Sequence, residues 1–482
     1  MRMNTSLTVP FPNILSEAFT PYALFLVGLA LLFGGGTQQG LWSDVPVLLA
    51  SLPLLPWAVV RLTSIHLGRL GRWAIVILCA TIAMPLLQLI PLPPALWSSL
   101  PGRGEIASTY QVAGITVPWL PISLTPAATW RGCLSLLPAI AIFLSVLSLG
   151  YSARQRMIIL ILVAAVVSLP LDLLQTIEGP ESGLRFYAIT NLDRAVGFFA
   201  NANHHAAFLA CAISLACAFA VGATGDEQPR RYVALMLAGF LAAVAVALSL
   251  TVSRAGVALG FLAGMCGLGL GLRQSHGRSR RRLLIYGSVA IIAMLLLVFQ
   301  FGFVGFVGKS VDMMDDLRWP VAKVTWRAAN AFFPLGSGFG SFIPVYEMFA
   351  PLTMVREHYV NHAHDDWLEL WLTGGAPALV LTCAFLLWFG CASVSLWGRN
   401  WPGSEGRDMA IARSATIIVI LLLLHSTVDY PLRTVALSVL FALGCGLLVS
   451  PAVSERSTQN LGHQPHARRH SARESNSSGA PL

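Results

Sequence analysis

Charge is what this chain has least of: 11% of its 482 residues are Asp, Glu, Lys or Arg, against 56% hydrophobic ones, and the mean hydropathy is +0.70. That balance excludes a soluble protein of this length, because uncharged runs repeatedly reach bilayer-crossing length. No CxxC pair occurs, and Cys79, Cys133, Cys211, Cys217, Cys266, Cys383, Cys391 and Cys445 all lie in or beside apolar runs. A disulfide framework and a thiolate metal site are therefore not indicated, and the cysteines read as core filler. HExxH, DxD and GxxxxGK[ST] are missing as well, which leaves no zincin helix and no phosphate loop for energy coupling. No internal repeat is strong enough to assign. The formal charge of +9 is spread over many short loops rather than gathered in a stripe, so it argues for membrane orientation and against nucleic acid as a partner.

What is present is a series of apolar runs. Read between charges, they give about twelve spans, near 19–35, 45–60, 73–91, 131–149, 156–175, 203–222, 232–250, 254–272, 283–303, 374–397, 411–428 and 433–450. The expected fold is an all-α polytopic membrane protein. Alternate connections collect the basic residues, among them Arg61, Arg69, Arg72, Arg154, Arg156, Arg230, Arg231, Arg273, Arg278, Arg280, Arg281, Arg282, Arg399, Arg407 and Arg413. By the positive-inside rule these loops and both termini are cytoplasmic, and no cleavable signal is needed. The opposite set contains the three long connections, about 92–130, 176–202 and 304–373, where function is expected. The organisation that follows is a cytoplasmic segment 1–18, spans one to nine over 19–303, an external, partly helical cap over 304–373, spans ten to twelve over 374–450 and a disordered cytoplasmic tail 451–482. PWLPISLTPAATW in the first long connection reads as extended chain and turns.

The densest polar block is NHAHDDWLELWLTGG, Asn361 to Gly375. Asn361 reads as an N-cap, Asp365, Asp366 and Glu369 fall in the first turns where the helix dipole favours negative charge, and Gly374 and Gly375 end a short helix. His364, Leu368, Trp371 and Leu372 share one helical stripe, which leaves His364 poised beside an apolar seam. His358, His362 and His364 with Asp365 and Asp366 give a loose HxxxHxH grouping that could hold a metal. General base is the better role for one of these histidines, since an imidazole takes a hydroxyl proton near neutral pH.

Two arginines stand in costly places. Arg254 in TVSRAG opens the eighth span after a turn of only two or three residues, and Arg194 lies in DRAVGFFANANHH at the start of the sixth. Each could snorkel or pair locally, Arg194 with Asp193, but both fit anion binding through a planar fork of donors. His204 and His205 read as core or interfacial. PLGSGFGSF, with Gly336, Gly338 and Gly340, is equally an ordinary sharp turn and a loop whose N–H groups approach phosphate or sugar. In HSTVDYPLR, His425 and Asp429 are functional candidates, with a structural Asp429–Arg433 pair as the plainer alternative.

Taken in order on one membrane face, DRAVGFFANAN, TVSRAG, GSGFGSF, NHAHDDWLELWLTGG and HSTVDYPLR resemble the O-antigen ligase and polymerase family over roughly residues 185–450. The family's histidine motif maps onto His364, Asp365 and Leu368, with Asp where ligases often carry Asn. The resemblance implies a GT-C-like membrane glycosyltransferase of the bacterial inner membrane, acting at the periplasmic face without metal, nucleotide sugar or other cofactor. It implies a donor glycan on undecaprenyl pyrophosphate and a saccharide acceptor, either lipid A core or a growing polymer. Arg194 and Arg254 would bind the pyrophosphate and His364 would deprotonate the acceptor, with His362, Asp365, Asp366, Asn203, Gly338, Gly340, His425 and Asp429 on the substrate. Ligase and repeat-unit polymerase both fit. A transporter or lipid flippase also fits the hydropathy, but would call for two similar halves.

Overall fold

The computed structural model describes residues 13–38, 42–221, 227–274, 281, 287–288, 292, 313–354, 359–398 and 406–450. In chain order the helices are α1 (Asn13–Phe33), α2 (Val45–Thr63), α3 (Arg69–Leu87), α4 (Pro94–Ser99), α5 (Gly104–Val112), α6 (Pro126–Ser135), α7 (Leu137–Ser148), α8 (Tyr151–Glu178), α9 (Ala202–Val221), α10 (Glu227–Leu250), α11 (Arg254–Gln274), α12 (Met313–Ala331), α13 (Phe342–Phe349), α14 (Asp366–Gly398), α15 (Gly406–His425) and α16 (Val435–Leu447). The fold is all-α and polytopic. Among the described residues, nine helical segments are long and apolar enough to cross a membrane, and α1 and α16 add shorter apolar helices. Each expected span has a helix at its place except 283–303, which falls almost wholly outside the described residues, as do His358 and the tail 451–482.

The centre of the bundle is α9 and α15, buried along most of their length and largely apolar apart from His204 and His205 at the start of α9 and Asp408 and Arg413 near the start of α15. Small residues set the closest approach. A Cβ on Gly256 of α11 would collide with the Ala206 methyl of α9, and one on Gly267, three turns on, would lie 2.6 Å from Cys217 Sγ. Side chains this small let two membrane helices pack backbone to backbone. At one end of the bundle the N-termini of α9 and α14 meet the turn after α15, and the first turn of α11 packs on α9.

That end carries a cap. In the 92–130 connection the PWLPISLTPAATW segment is non-helical up to Thr125 and then enters α6, while the chain ahead of it forms α4 and α5, and the two sides meet in a two-residue antiparallel pair, Pro91–Leu92 with Leu120–Pro121. It is held by Arg103, fully buried, which donates to the carbonyls of Pro101 (2.9 Å), Ile122 (2.7 Å) and Gly336 (2.9 Å). A second, smaller core joins α12, α13 and the start of α14 through Val321, Val324, Ala328, Phe332, Phe342, Val345 and Leu372.

Candidate active site

The histidine segment differs from its expected form in one respect. The helix begins at Asp366, and Asp365 caps it, accepting the Leu368 N–H at 3.0 Å on Oδ1 and the Glu369 N–H at 3.1 Å on its carbonyl. Asn361 is not the cap; its amide donates to the Tyr430 hydroxyl at 3.2 Å. The short helix does end where glycine was expected to end it, because α14 kinks at Gly375 (φ 59°, ψ −150°). His364 consequently stands in the loop before the helix, off the expected stripe, with a left-handed φ of 52°. Among the described residues only Val252 (φ 51°) shares that non-glycine geometry, and it sits two residues before Arg254. Such conformations cost on the order of 1–3 kcal/mol each and persist where surrounding contacts over-determine them.

What His364 turns toward is Asp429. Its Nδ1 lies 3.4 Å from Asp429 Oδ1, and His204 Nε2 lies 3.8 Å from the same oxygen. The Tyr430 N–H donates to Oδ1 at 3.0 Å and the Asn203 amide to Oδ2 at 2.7 Å. Burial works to raise the Asp429 carboxyl, but its polar contacts with His204 and His364 outweigh it and hold it well below the usual carboxylate range. Asp429 is wholly buried while His364 keeps 14% of its side chain accessible, so the imidazole is the reachable member. The Tyr430 ring fills the space between His204, His362 and His364, at centroid distances of 4.9, 4.4 and 5.1 Å. His425, the last residue of α15, is buried 6.3 Å from His204. Tyr430, which sequence reasoning did not single out, is the ring that His204, His362 and His364 all meet.

Behind the loop is a second layer. Arg433 pairs with Asp366 Oδ1 and with Glu369 Oε1, both at 3.1 Å, rather than with Asp429 as the plainer sequence reading had it. Glu369 in turn lies 3.1 Å from His362 Nδ1 and accepts the Ala363 N–H at 3.0 Å, while Ser426 binds Asp366 through both its hydroxyl and its carbonyl. His362 and Asp366 thus lock the loop onto the turn that carries Asp429.

The two arginines share the same end. Gln175 accepts the N–H groups of Val196 and Gly197 at 3.0 Å each, and Arg185 donates to the carbonyls of Asn191, Leu192 and Arg194, which together fix the loop carrying Arg194. The Arg194 guanidinium lies 3.8 Å from Asp193. The Ala195 N–H donates to Leu250 at the end of α10 (3.1 Å), four residues before Arg254 opens α11, and Gly256 abuts Ala206 one turn beyond Asn203 on α9. Adjacent His204 and His205 diverge: His205 Nε2 lies 2.9 Å from Asp172 Oδ2 in the core, both fully buried.

The glycine-rich loop is spent on the fold. The N–H groups of Gly336, Ser337, Gly338 and Phe339 go to Phe332, Leu372, Thr373 and Gln88. At Gly338 (φ 102°) a Cβ would collide with Ser123, and at Gly340 (φ 80°) one would lie 2.7 Å from the Ala128 methyl. These contacts and the close approaches fit the turn reading of Gly338 and Gly340, with the Gly338 amide bound to the Thr373 carbonyl. Among the described residues no group of three or more His, Cys, Asp and Glu is arranged to hold a metal ion. Beside the histidine loop a cavity of about 480 Å³ runs into the bundle between α3, α7, α14 and α16, walled by residues such as Ile77, Leu78, Ile140, Phe143 and Phe385, with Asp44, Arg131, Asp366 and Arg433 among its polar lining.

A buried polar cluster at one end of a multi-pass helical bundle, next to an apolar cavity, defines a membrane protein with the makings of an enzyme site. The family model for O-antigen ligase matches residues 237–383, from α10 through the histidine segment into α14. No curated protein matches the chain. The matched stretch includes Arg254 and His364; Arg194, Asn203 and Asp429 lie outside it and are joined to it by the fold.

Proposed function

We propose that the protein transfers a glycan from undecaprenyl pyrophosphate to an acceptor hydroxyl at the periplasmic face of the bacterial inner membrane. The observation that carries this reading is the pairing of an accessible His364 with a buried Asp429. In the reaction, His364 takes the acceptor hydroxyl proton on Nε2 while Nδ1 faces Asp429, whose charge stabilises the imidazolium that forms. The acceptor oxygen bonds to the anomeric carbon as the bond from that carbon to the phosphate oxygen breaks, a single displacement that inverts the centre. The departing pyrophosphate is met by Arg194 and Arg254, positive charge placed where negative charge develops. An isoprenoid tail suits the apolar walls of the cavity beside the histidine loop.

The test is to reconstitute the purified protein in liposomes with an undecaprenyl-pyrophosphate glycan and candidate acceptors, and to identify the product. Glycan-capped acceptor or an extended lipid-linked polymer supports transfer and separates ligase from polymerase. An unchanged donor with every acceptor tried counts against it.

A further inference from the structure

Helix α12 buries Val321, Val324, Ala328 and Ala329 in the smaller core and turns a different set outward. Trp319 is 70% exposed and Trp326 51%, and Lys323, Arg327 and Asn330 are exposed with them. At 3.6 residues per turn these five positions fall within an arc of about 100°. Lys323 Nζ lies 5.5 Å from the centre of the Trp319 ring, and Trp326 meets Trp371 edge to face at 4.3 Å. Trp371 belongs to α14, the helix that follows the His364 loop, so the outward stripe touches the element next to the candidate base.

We propose that this stripe is a binding track for the donor's glycan, an extended and acidic chain, ahead of the site. The chemistry fits a sugar polymer on three counts. Indole faces stack on the C–H faces of pyranose rings, and two of them stand two turns apart on one face. The cations and the amide between them suit carboxylates and hydroxyls. The stripe is also continuous with the site through Trp326 and Trp371. Exposed tryptophans can instead rest on lipid headgroups, but here they alternate with lysine, arginine and asparagine on a helix that is not among those apolar enough to span a membrane. The proposal rests on the glycan-transfer reading, and its test separates the two.

The probe is the long-chain polysaccharide released from its lipid by mild acid, titrated against the protein in nanodiscs. Wild type binds it, and Trp319→Ala/Trp326→Ala binds about tenfold more weakly or worse, while Trp319→Tyr/Trp326→Tyr keeps most of the affinity. Binding without transfer in the liposome assay would sustain the track and remove the transfer reading. Transfer with equal affinities for wild type and the double alanine variant would do the reverse. Quenching of indole fluorescence by brominated lipid that disappears in Trp319→Phe/Trp326→Phe would seat the stripe on the bilayer and overturn the proposal.

Discussion

The sharpest consequence of the site concerns Asp429→Asn. Asn has the same shape but a single acceptor oxygen, so it keeps either the Asn203 contact or the Tyr430 N–H contact; beyond that one hydrogen bond the change is electrostatic. The charge removed lies 3.4 Å from His364 Nδ1 and 3.8 Å from His204 Nε2. At an effective dielectric constant of about 20, a unit charge at the shorter distance is worth about 5 kcal/mol to an imidazolium. Because His364 is partly accessible, that figure is a ceiling, and about 3–5 kcal/mol of transition-state stabilisation is at stake. The rate of transfer should fall by roughly a hundredfold to a few thousandfold. The loss should appear in kcat, since a counter-charge to a group that becomes positive only during the reaction contributes little to donor binding. The assay is initial-rate transfer in proteoliposomes, with protein quantity and thermal unfolding checked in parallel. A variant that folds normally and transfers within threefold of wild type would refute the reasoning.

Other expectations follow from the same geometry. Glu369→Gln leaves Arg433 with Asp366 alone and weakens the hold on His362, which should cost about 3 kcal/mol and lower the unfolding midpoint in detergent. Gly338→Ala meets both a φ of 102° and Ser123, so a loss of about 3 kcal/mol or more is expected, seen as increased proteolysis of the cap. Burial pushes the Asp44 carboxyl, just ahead of α2, up to about 7. An unfolded carboxylate titrates near pH 4, so the native state binds the extra proton between roughly 4 and 7 and stability falls as pH rises through that window. Asp44→Asn should therefore raise the unfolding midpoint above about pH 7 and leave it unchanged below about pH 4, by roughly 1–2 kcal/mol after allowance for partial solvent access.

The membrane spans were legible because a bilayer imposes one simple demand, an uncharged run of sufficient length, and every expected span within the described residues has its helix. The cap was harder to read. Its short helices α4 and α5 rest on Arg103 reaching carbonyls far along the chain, a contact that leaves no local pattern. In the candidate site, His364 was visible within the densest polar block of the chain and Asp429 as an ionisable group at the end of an apolar run. The Arg433 pairing was not, since Asp366 and Glu369 are distant in sequence and Asp429 is close. Neighbouring His204 and His205 illustrate the same limit. Successive helical positions point about 100° apart, so one reaches Asp429 and the other Asp172, and only the packing of α8 and the turn after α15 decides which. The left-handed backbone at Val252 has no composition signal, because a β-branched residue rarely adopts it; His adopts it more often than most residues, but no local pattern marks His364 for it.

The most direct measurement is to separate binding of undecaprenyl pyrophosphate from transfer in two variants. His364→Ala should bind the lipid as tightly as wild type and transfer no glycan, while Arg194→Ala/Arg254→Ala should bind it at least about tenfold more weakly. Wild-type transfer by His364→Ala, or undiminished lipid binding by the double arginine variant, would contradict the account.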